Sequence, residues 1–219
     1  MLCRIQPAVL LRPRPRPPVF LGRKMALVLF LLFLSLLHAG SSAKDGLQPA
    51  RGVLLVAGTQ VRDHGFRESV VLLLSAGPGG AMGLILNKPT ATKVSALFGG
   101  IGSMSRGAPA PLFFGGPVGG HELLMLRRAE RASADWAAVV DRVFVTNSRV
   151  AMMDALMTAR TAQEVRVYAG YAGWAAGQLE WEIERGDWYL LPADSTLIFR
   201  RDMTKLWPEL FRKSREIAL

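Results

Sequence analysis

The chain has 219 residues, with 27 Lys+Arg against 17 Asp+Glu for a formal charge of +10, half of its residues apolar, and one cysteine. These values fit one or at most two globular domains and exclude collagenous, acidic-disordered and disulfide-rich classes. Residues 1–43 hold six basic side chains, no acidic one and five of the 13 prolines, and the remaining 21 basic and 17 acidic residues leave 44–219 with only +4. The high overall charge therefore belongs to the N-terminal segment and is not a nucleic-acid signal.

Residues 26–37, ALVLFLLFLSLL, form an apolar run of 12 preceded by Arg23-Lys24. Such a run is shorter than the roughly 20 residues a membrane-spanning helix needs. It matches the apolar core of a secretory signal, with basic residues before it and small ones after it. Ser41-Ser42-Ala43 favours cleavage after Ala43, with Ser41 nearly as good. The expected product is exported, periplasmic or membrane-tethered, touching a membrane only through 26–37 if that segment stays uncleaved. Met25 is an alternative start that would remove the basic flank and leave a cytoplasmic protein. Cys3 lies in this leader, so the chain after Ala43 has no thiol for disulfides, nucleophilic catalysis or metal binding.

A polar connector at 44–51 leads into the folded part, expected over 52–215. VLLVA (53–57), SVVLLLS (69–75) and MGLILN (82–87) read as strands, the last two joined into an antiparallel hairpin by Gly77-Pro78-Gly79-Gly80. Lys93–Phe98 is a short helix candidate, 102–111 a loop, and 112–114, 122–126 and 143–146 are short strands. Asn147 or Ser148 caps a helix running to about Arg160, with Val150, Met153, Leu156 and Met157 on one face. VRVYA (165–169) is a strand and 177–185 a helix. WYLL (188–191) and TLIF (196–199) are further strands, and Thr204 caps a last amphipathic helix. The elements do not alternate as βαβ units, so the class is α+β with a mixed, mostly antiparallel sheet in a single domain.

Motifs for catalysis are weak. There is no G-x-S-x-G elbow and no G-x-x-x-x-G-K-[ST] phosphate loop. His121-Glu122 begins like a zinc motif, but Met125 stands where the second histidine is required. These patterns point to no catalytic residue, no metal and no cofactor. Gly115-Gly116-Pro117 and Gly119-Gly120 could turn backbone N–H groups toward an anion, although a plain turn fits them better. Glu180 and Glu184 share a helix face at i, i+4, as a carboxylate pair or as a solvated surface. The basic clusters at 127–131, 200–201 and 212–215 are scattered and diluted by acidic neighbours, which gives no strong nucleic-acid signal.

GAMGLILNKP (80–89), FFGGPV (113–118), GYAGWAAGQLEWEI (170–183) and GDWYLLPAD (186–194) together resemble the AlgH/YqgE family of bacterial proteins. DHGFRESVVLLL (63–74) looks like the family's opening segment, and 198–213 like its closing strand and helix. The resemblance covers about 52–213 and implies one α+β domain with a bent, barrel-like sheet and flanking helices. It implies no established catalytic residue, and the label of transcriptional regulator of alginate synthesis comes from one branch. The positions matching the family's polar and aromatic pattern are Asn87, Lys88, Gly115, Gly116, Trp174, Gln178, Glu180, Trp188 and Asp194. After GGPV this chain reads GGHELLMLRR (119–128), without the arginine and histidine found there in the family, and their role is not carried over.

The expected function is a non-enzymatic binding or regulatory protein. A hydrolase-like enzyme and a DNA-binding transcriptional regulator are the alternatives. Asn87, Lys88, Trp174, Gln178 and Glu180 form the expected ligand surface: an amide, a cation, an indole, a second amide and a carboxylate suit a small polar ligand or a protein partner. The expectation is specific: Asn87, Lys88, Trp174 and Gln178 should line one concave surface.

Overall fold

The computed structural model describes residues 46–99, 110–131, 133–161 and 163–217. The leader with its cleavage positions, and most of the loop expected over 102–111, lie outside the described residues. Residues from Leu47 onward belong to one compact unit.

Ten strands are described: β1 (Val53–Ala57), β2 (Val70–Gly77), β3 (Gly80–Ile85), β4 (Pro89–Lys93), β5 (Pro111–Phe114), β6 (Val118–Arg128), β7 (Ala137–Val140), β8 (Val143–Thr146), β9 (Val165–Trp174) and β10 (Trp188–Pro192). With them come α1 (Val94–Leu97), α2 (Arg149–Thr158), α3 (Gln178–Glu184), α4 (Ser195–Ile198) and α5 (Leu206–Ile217). The sheet order is β10-β1-β2-β3-β9-β6-β8-β7, with β4 and β5 off this path. Every pairing is antiparallel except that of β5 with β9. The expected class, α+β with a mixed and mostly antiparallel sheet, is what the chain adopts.

The sheet is curled. Leu54 of β1, Val139 of β7 and Val143 of β8 come from distant places in the strand order, yet all three enter one apolar cluster with Leu72, Leu84, Leu126 and Tyr168. Arg51 Nη1 donates to the Ala138 carbonyl at 3.0 Å, which ties the β7 edge back to the start of β1. Leu206 and Leu210 of α5 pack into this inner cluster, and the Trp207 indole donates to the Ala57 carbonyl at 2.8 Å. The outer face is covered in two patches. Leu55, Val71, Leu73 and Ile85 pack with Leu179 of α3, while Met125, Val165 and Val167 pack with Ala151, Met152, Ala155 and Leu156 of α2. Central strands buried on both faces have no polar alternation, which is why VLLVA and VVLLL read as unbroken apolar runs.

The bend of the sheet lies within β9. Its residues 165–169 pair with β6 and its residues 172–174 pair with β3. Between them Gly170 has φ +70 and packs against the Gly116 backbone. A Cβ on Gly116, itself at φ +151, would lie 2.2 Å from the Tyr171 carbonyl carbon. Two backbones thus cross at glycines. The Gly115 N–H is used within this crossing, donating to the Ala169 carbonyl at 2.8 Å.

Several expectations are corrected. Segment 196–199 is not a strand: α4 forms there because Asp194 Oδ1 accepts from the Thr196 and Leu197 amides at 2.7 and 2.9 Å, and this cap outweighs the β-branched pattern. On α2, Ser148 is the cap as expected, but Val150 and Met157 are 78% and 65% exposed, and Ala151 and Ala155 face the sheet instead. The strand expected over 165–169 continues to Trp174, so the bend at Gly170 lies inside a strand. At the last helix, Asp202 rather than Thr204 supplies the side-chain acceptor, taking the Thr204 amide at 3.0 Å. β4 and β7 have no counterpart among the expected elements, and Pro89 is the first residue of β4 and stands opposite Phe113.

Candidate functional site

Strand β9 ends at Trp174, and Gly177 at φ +75 turns the chain into α3. Gln178, the first residue of that helix, accepts the Ala175 amide on Oε1 at 3.0 Å. One turn later, Glu182 lies on the same face as Gln178, as i, i+4 spacing requires. Its carboxylate collects three donors. Oε2 accepts from the indoles of Trp174 (2.9 Å) and Trp188 (2.8 Å), and Oε1 accepts from Gln178 Nε2 (2.9 Å). Trp174 and Trp188 are 6% and 4% exposed and meet edge to face at 5.9 Å. Phe66 completes the aromatic group at 5.9 and 5.8 Å from the two indoles.

These residues line a cleft of about 330 Å³ between the loop 58–69 and α3. Gln60 reaches from the loop to donate to the Gly186 carbonyl, and the Gly58 amide donates to the Asp187 carbonyl at 2.7 Å. Asp187 is buried and pairs with Arg185, whose Nε donates to Oδ2 at 2.9 Å. The same guanidinium lies 4.1 Å over the exposed Trp181 ring, and this pairing with Asp187 holds it above the ordinary arginine value. Arg62 and Asp63 of the loop also line the cleft.

Asn87 and Lys88 lie elsewhere. They line a second cleft, of about 420 Å³, with His64, Arg67, Glu68 and Trp207. Asn87 Oδ1 accepts the Val70 amide at 2.9 Å and its Nδ2 donates to the Glu68 carbonyl at 2.8 Å. Lys88 Nζ donates to the carbonyls of His64 (3.0 Å) and Gly65 (2.7 Å). Burial pushes the Lys88 ammonium below the ordinary lysine value, against the opposing pull of Asp63.

The expected surface is therefore divided. Trp174 and Gln178 share one cleft, Asn87 and Lys88 share another, and the loop 58–69 contributes to both. Glu180 is exposed and lines neither. Its helix partner Glu184 is also exposed, so the carboxylate turned into the site is the intervening Glu182. Sequence reasoning missed Glu182 as well as Asp187. The i, i+4 relation of Gln178 and Glu182 was the available signal for the first. The buried place of Asp187 follows from the tertiary fold.

The AlgH-like family model, DUF179, matches residues 54–216. A UPF0301 protein of Methylococcus capsulatus is 34% identical over 170 residues, which covers 77% of this chain and 93% of that protein. A UPF0301 protein of Mycobacterium tuberculosis is 34% identical over 165 residues, covering 74% of this chain and 81% of its own. The same fold is seen in a crystal structure of a Corynebacterium diphtheriae protein, with a TM-score of 0.66 at 23% identity over 78% of this chain and 90% of that one. It is seen again in the solution structure of AlgH from Pseudomonas aeruginosa, with a TM-score of 0.59 at 21% identity over 79% of this chain and 93% of that one. The family match runs from the second residue of β1 to the penultimate residue of α5, and the chain belongs to the AlgH-like family.

Proposed function

We propose that the chain is a non-enzymatic binding protein that takes a small polar ligand in the Trp174–Gln178–Glu182 cleft. The observation that carries this reading is Glu182, a half-buried carboxylate fixed by three neutral donors and, among the described residues, in no ion pair, with the Arg185 charge acting on it only through space. An ionised carboxylate offers about four lone-pair directions, so one acceptor direction stays available to a ligand donor. The volume of about 330 Å³ suits a small molecule, at the lower end of the usual range of about 300–1,000 Å³. The ligand class is a compact molecule bearing an amine or amide N–H next to a short apolar part.

The test is an NMR titration with small amines, amides and free amino acids. Saturable shifts of the Trp174 and Trp188 indole N–H resonances, reduced in Glu182→Gln, are expected. Titrations that move only resonances away from this cleft refute the reading. Binding confined to a folded protein partner would replace the small ligand with a peptide segment.

We also propose that the chain is exported. The apolar run 26–37, the basic pair before it and Ser41-Ser42-Ala43 after it support this, and cleavage after Ala43 would leave the compact unit from Leu47 whole. Mass spectrometry of the N-terminus after cell fractionation tests it. An intact N-terminus on a cytosolic protein refutes it.

A further inference from the structure

Away from both clefts, three polar side chains share the inner face of the sheet. In the β6–β9 register Leu126 stands opposite Arg166 and Leu124 opposite Tyr168. Arg128, two residues beyond Leu126, projects to that same side. Leu124, Leu126 and Tyr168 all belong to the inner apolar cluster, so this face is the core side. Arg166 is 6% exposed, Tyr168 is fully buried and Arg128 is half-buried.

Each guanidinium has part of its hydrogen bonding satisfied. Arg128 Nη2 donates to the Ser195 carbonyl in the first residue of α4, and Arg166 Nη2 to the Arg200 carbonyl two residues past the helix. Each also lies 5.0 Å from a ring centroid, Phe199 for Arg128 and Phe113 for Arg166. What is left over is specific: Arg128 Nε, Arg166 Nη1 and Tyr168 Oη are buried without a well-formed hydrogen bond, and among titratable side chains Arg166 and Tyr168 interact only with each other and with Arg128. All three can donate a hydrogen. Among the described residues no carboxylate forms an ion pair with either arginine. The charged or titratable neighbours that act on Arg166 are Tyr168 and the like-charged Arg128.

A buried cation without a counter-charge is costly, by several kcal/mol per ion even after relaxation. Carbonyl dipoles and ring faces offset only part of that cost. The complement to two guanidinium donors and a phenol is a negatively charged acceptor. Charge-assisted bonds of this kind are roughly twice as strong as neutral ones. A water could accept a hydrogen bond here but would leave both charges uncompensated.

We propose that Arg166, Tyr168 and Arg128 bind a small monovalent inorganic anion of the halide class on the inner face of the sheet, beside α4. A single spherical acceptor has no preferred direction and can serve donors from two strands. A tetrahedral oxyanion would bring several oxygens that need donors of their own. The bound anion would also hold the 195–200 segment to β6 and β9, because the same two arginines grip the start of α4 and the residue two past its end.

The test uses the whole protein. Crystals grown in bromide should show an anomalous peak in contact with Arg166 and Tyr168, and water or no density at that position overturns the proposal. In solution, thermal unfolding is followed as chloride replaces gluconate at constant ionic strength. A midpoint that rises saturably by a few degrees is expected, following the linkage between binding and stability. Tyr168→Phe, which keeps the ring in place, should weaken that response, and Arg166→Met should abolish it. A flat chloride response in the wild type overturns the proposal whatever the variants do. A bromide peak with a flat response identifies an adventitious ion only and overturns it equally.

Discussion

Replacing Glu182 with alanine removes the acceptor shared by two indoles and one amide. The Gln178 amide is exposed and rehydrates, so its loss costs little. The indoles are different, because Trp174 and Trp188 are nearly fully buried and each loses its partner. An orphaned buried donor costs about 1–3 kcal/mol, and the open cleft lets water recover part of it, so about 2–3 kcal/mol is expected for the two together. For a domain of this size that lowers the melting midpoint by roughly 5–10 °C. Glutamine should cost about half as much, because one oxygen still serves the indoles. Its NH2 would then face the Gln178 NH2, which cannot flip without giving up the Ala175 amide. The assay is urea and thermal unfolding of both variants and of Trp188→Phe, followed by the Trp188→Phe/Glu182→Ala double mutant. Alanine within about 0.5 kcal/mol of wild type, or strict additivity in the double mutant, would refute the shared-acceptor reasoning.

At the backbone crossing, Gly116→Ala forces a Cβ to 2.2 Å from backbone and should cost roughly 4 kcal/mol or more, read as loss of soluble folded protein by circular dichroism. Asp194→Ala should cost about 1 kcal/mol at neutral pH through loss of the α4 cap. Burial opposes ionisation of Asp194, but the Thr196 hydroxyl and the Leu197 and Thr196 amides outweigh it and hold its pKa below the ordinary value. Its contribution is therefore complete above the unfolded-state pKa of about 3.9 and lost as pH falls through the lower folded value, so acid unfolding curves of wild type and variant should converge. Burial pushes the Tyr168 phenol up to about 12. Wild-type stability should fall between about pH 10 and 12, by at most about 1.4 kcal/mol per pH unit, with a slope that Tyr168→Phe lacks. Lys88→Met should free the His64 and Gly65 carbonyls and speed amide exchange across 60–68, while a loop that exchanges unchanged would show that Lys88 does not hold it.

The fold was legible where burial is two-sided or where turns carry glycine. The bounds of β1 and β8 follow from their apolar runs to the residue, and Gly77–Gly80 forms the hairpin turn its composition predicts. The missed strands are those with the weakest apolar signal. PTATK of β4 is almost wholly exposed, and AAVV of β7 is a four-residue edge strand. On α2 the bulky Val150 and Met157 suggest the core side, but it is Ala151 and Ala155 that pack inward. Small side chains let a helix approach a sheet closely, and a reading that ranks residues by hydrophobicity alone turns the helix too far.

The site was half legible for a related reason. Trp174 and Gln178 announced themselves through their places around the strand-to-helix bend, whereas Glu182 was hidden among three alternating glutamates that composition cannot tell apart. Only the helix phase separates them, since Gln178 and Glu182 lie one turn apart on the face that meets Trp188 from a different strand. Asn87 and Lys88, expected on one surface with Trp174 and Gln178, line the other cleft and hydrogen-bond the protein's own backbone. Asn87 fixes Glu68 and Val70, and Lys88 fixes His64 and Gly65, so both grip the loop 58–69 from its far side. Phe66 of that loop packs on both indoles, and Gln60 spans to Gly186 at the end of α3. The polar residues on one side of the loop thereby set the position of the aromatic wall on the other. The two groups of residues that share no cleft are mechanically one arrangement, with the loop as the part between them.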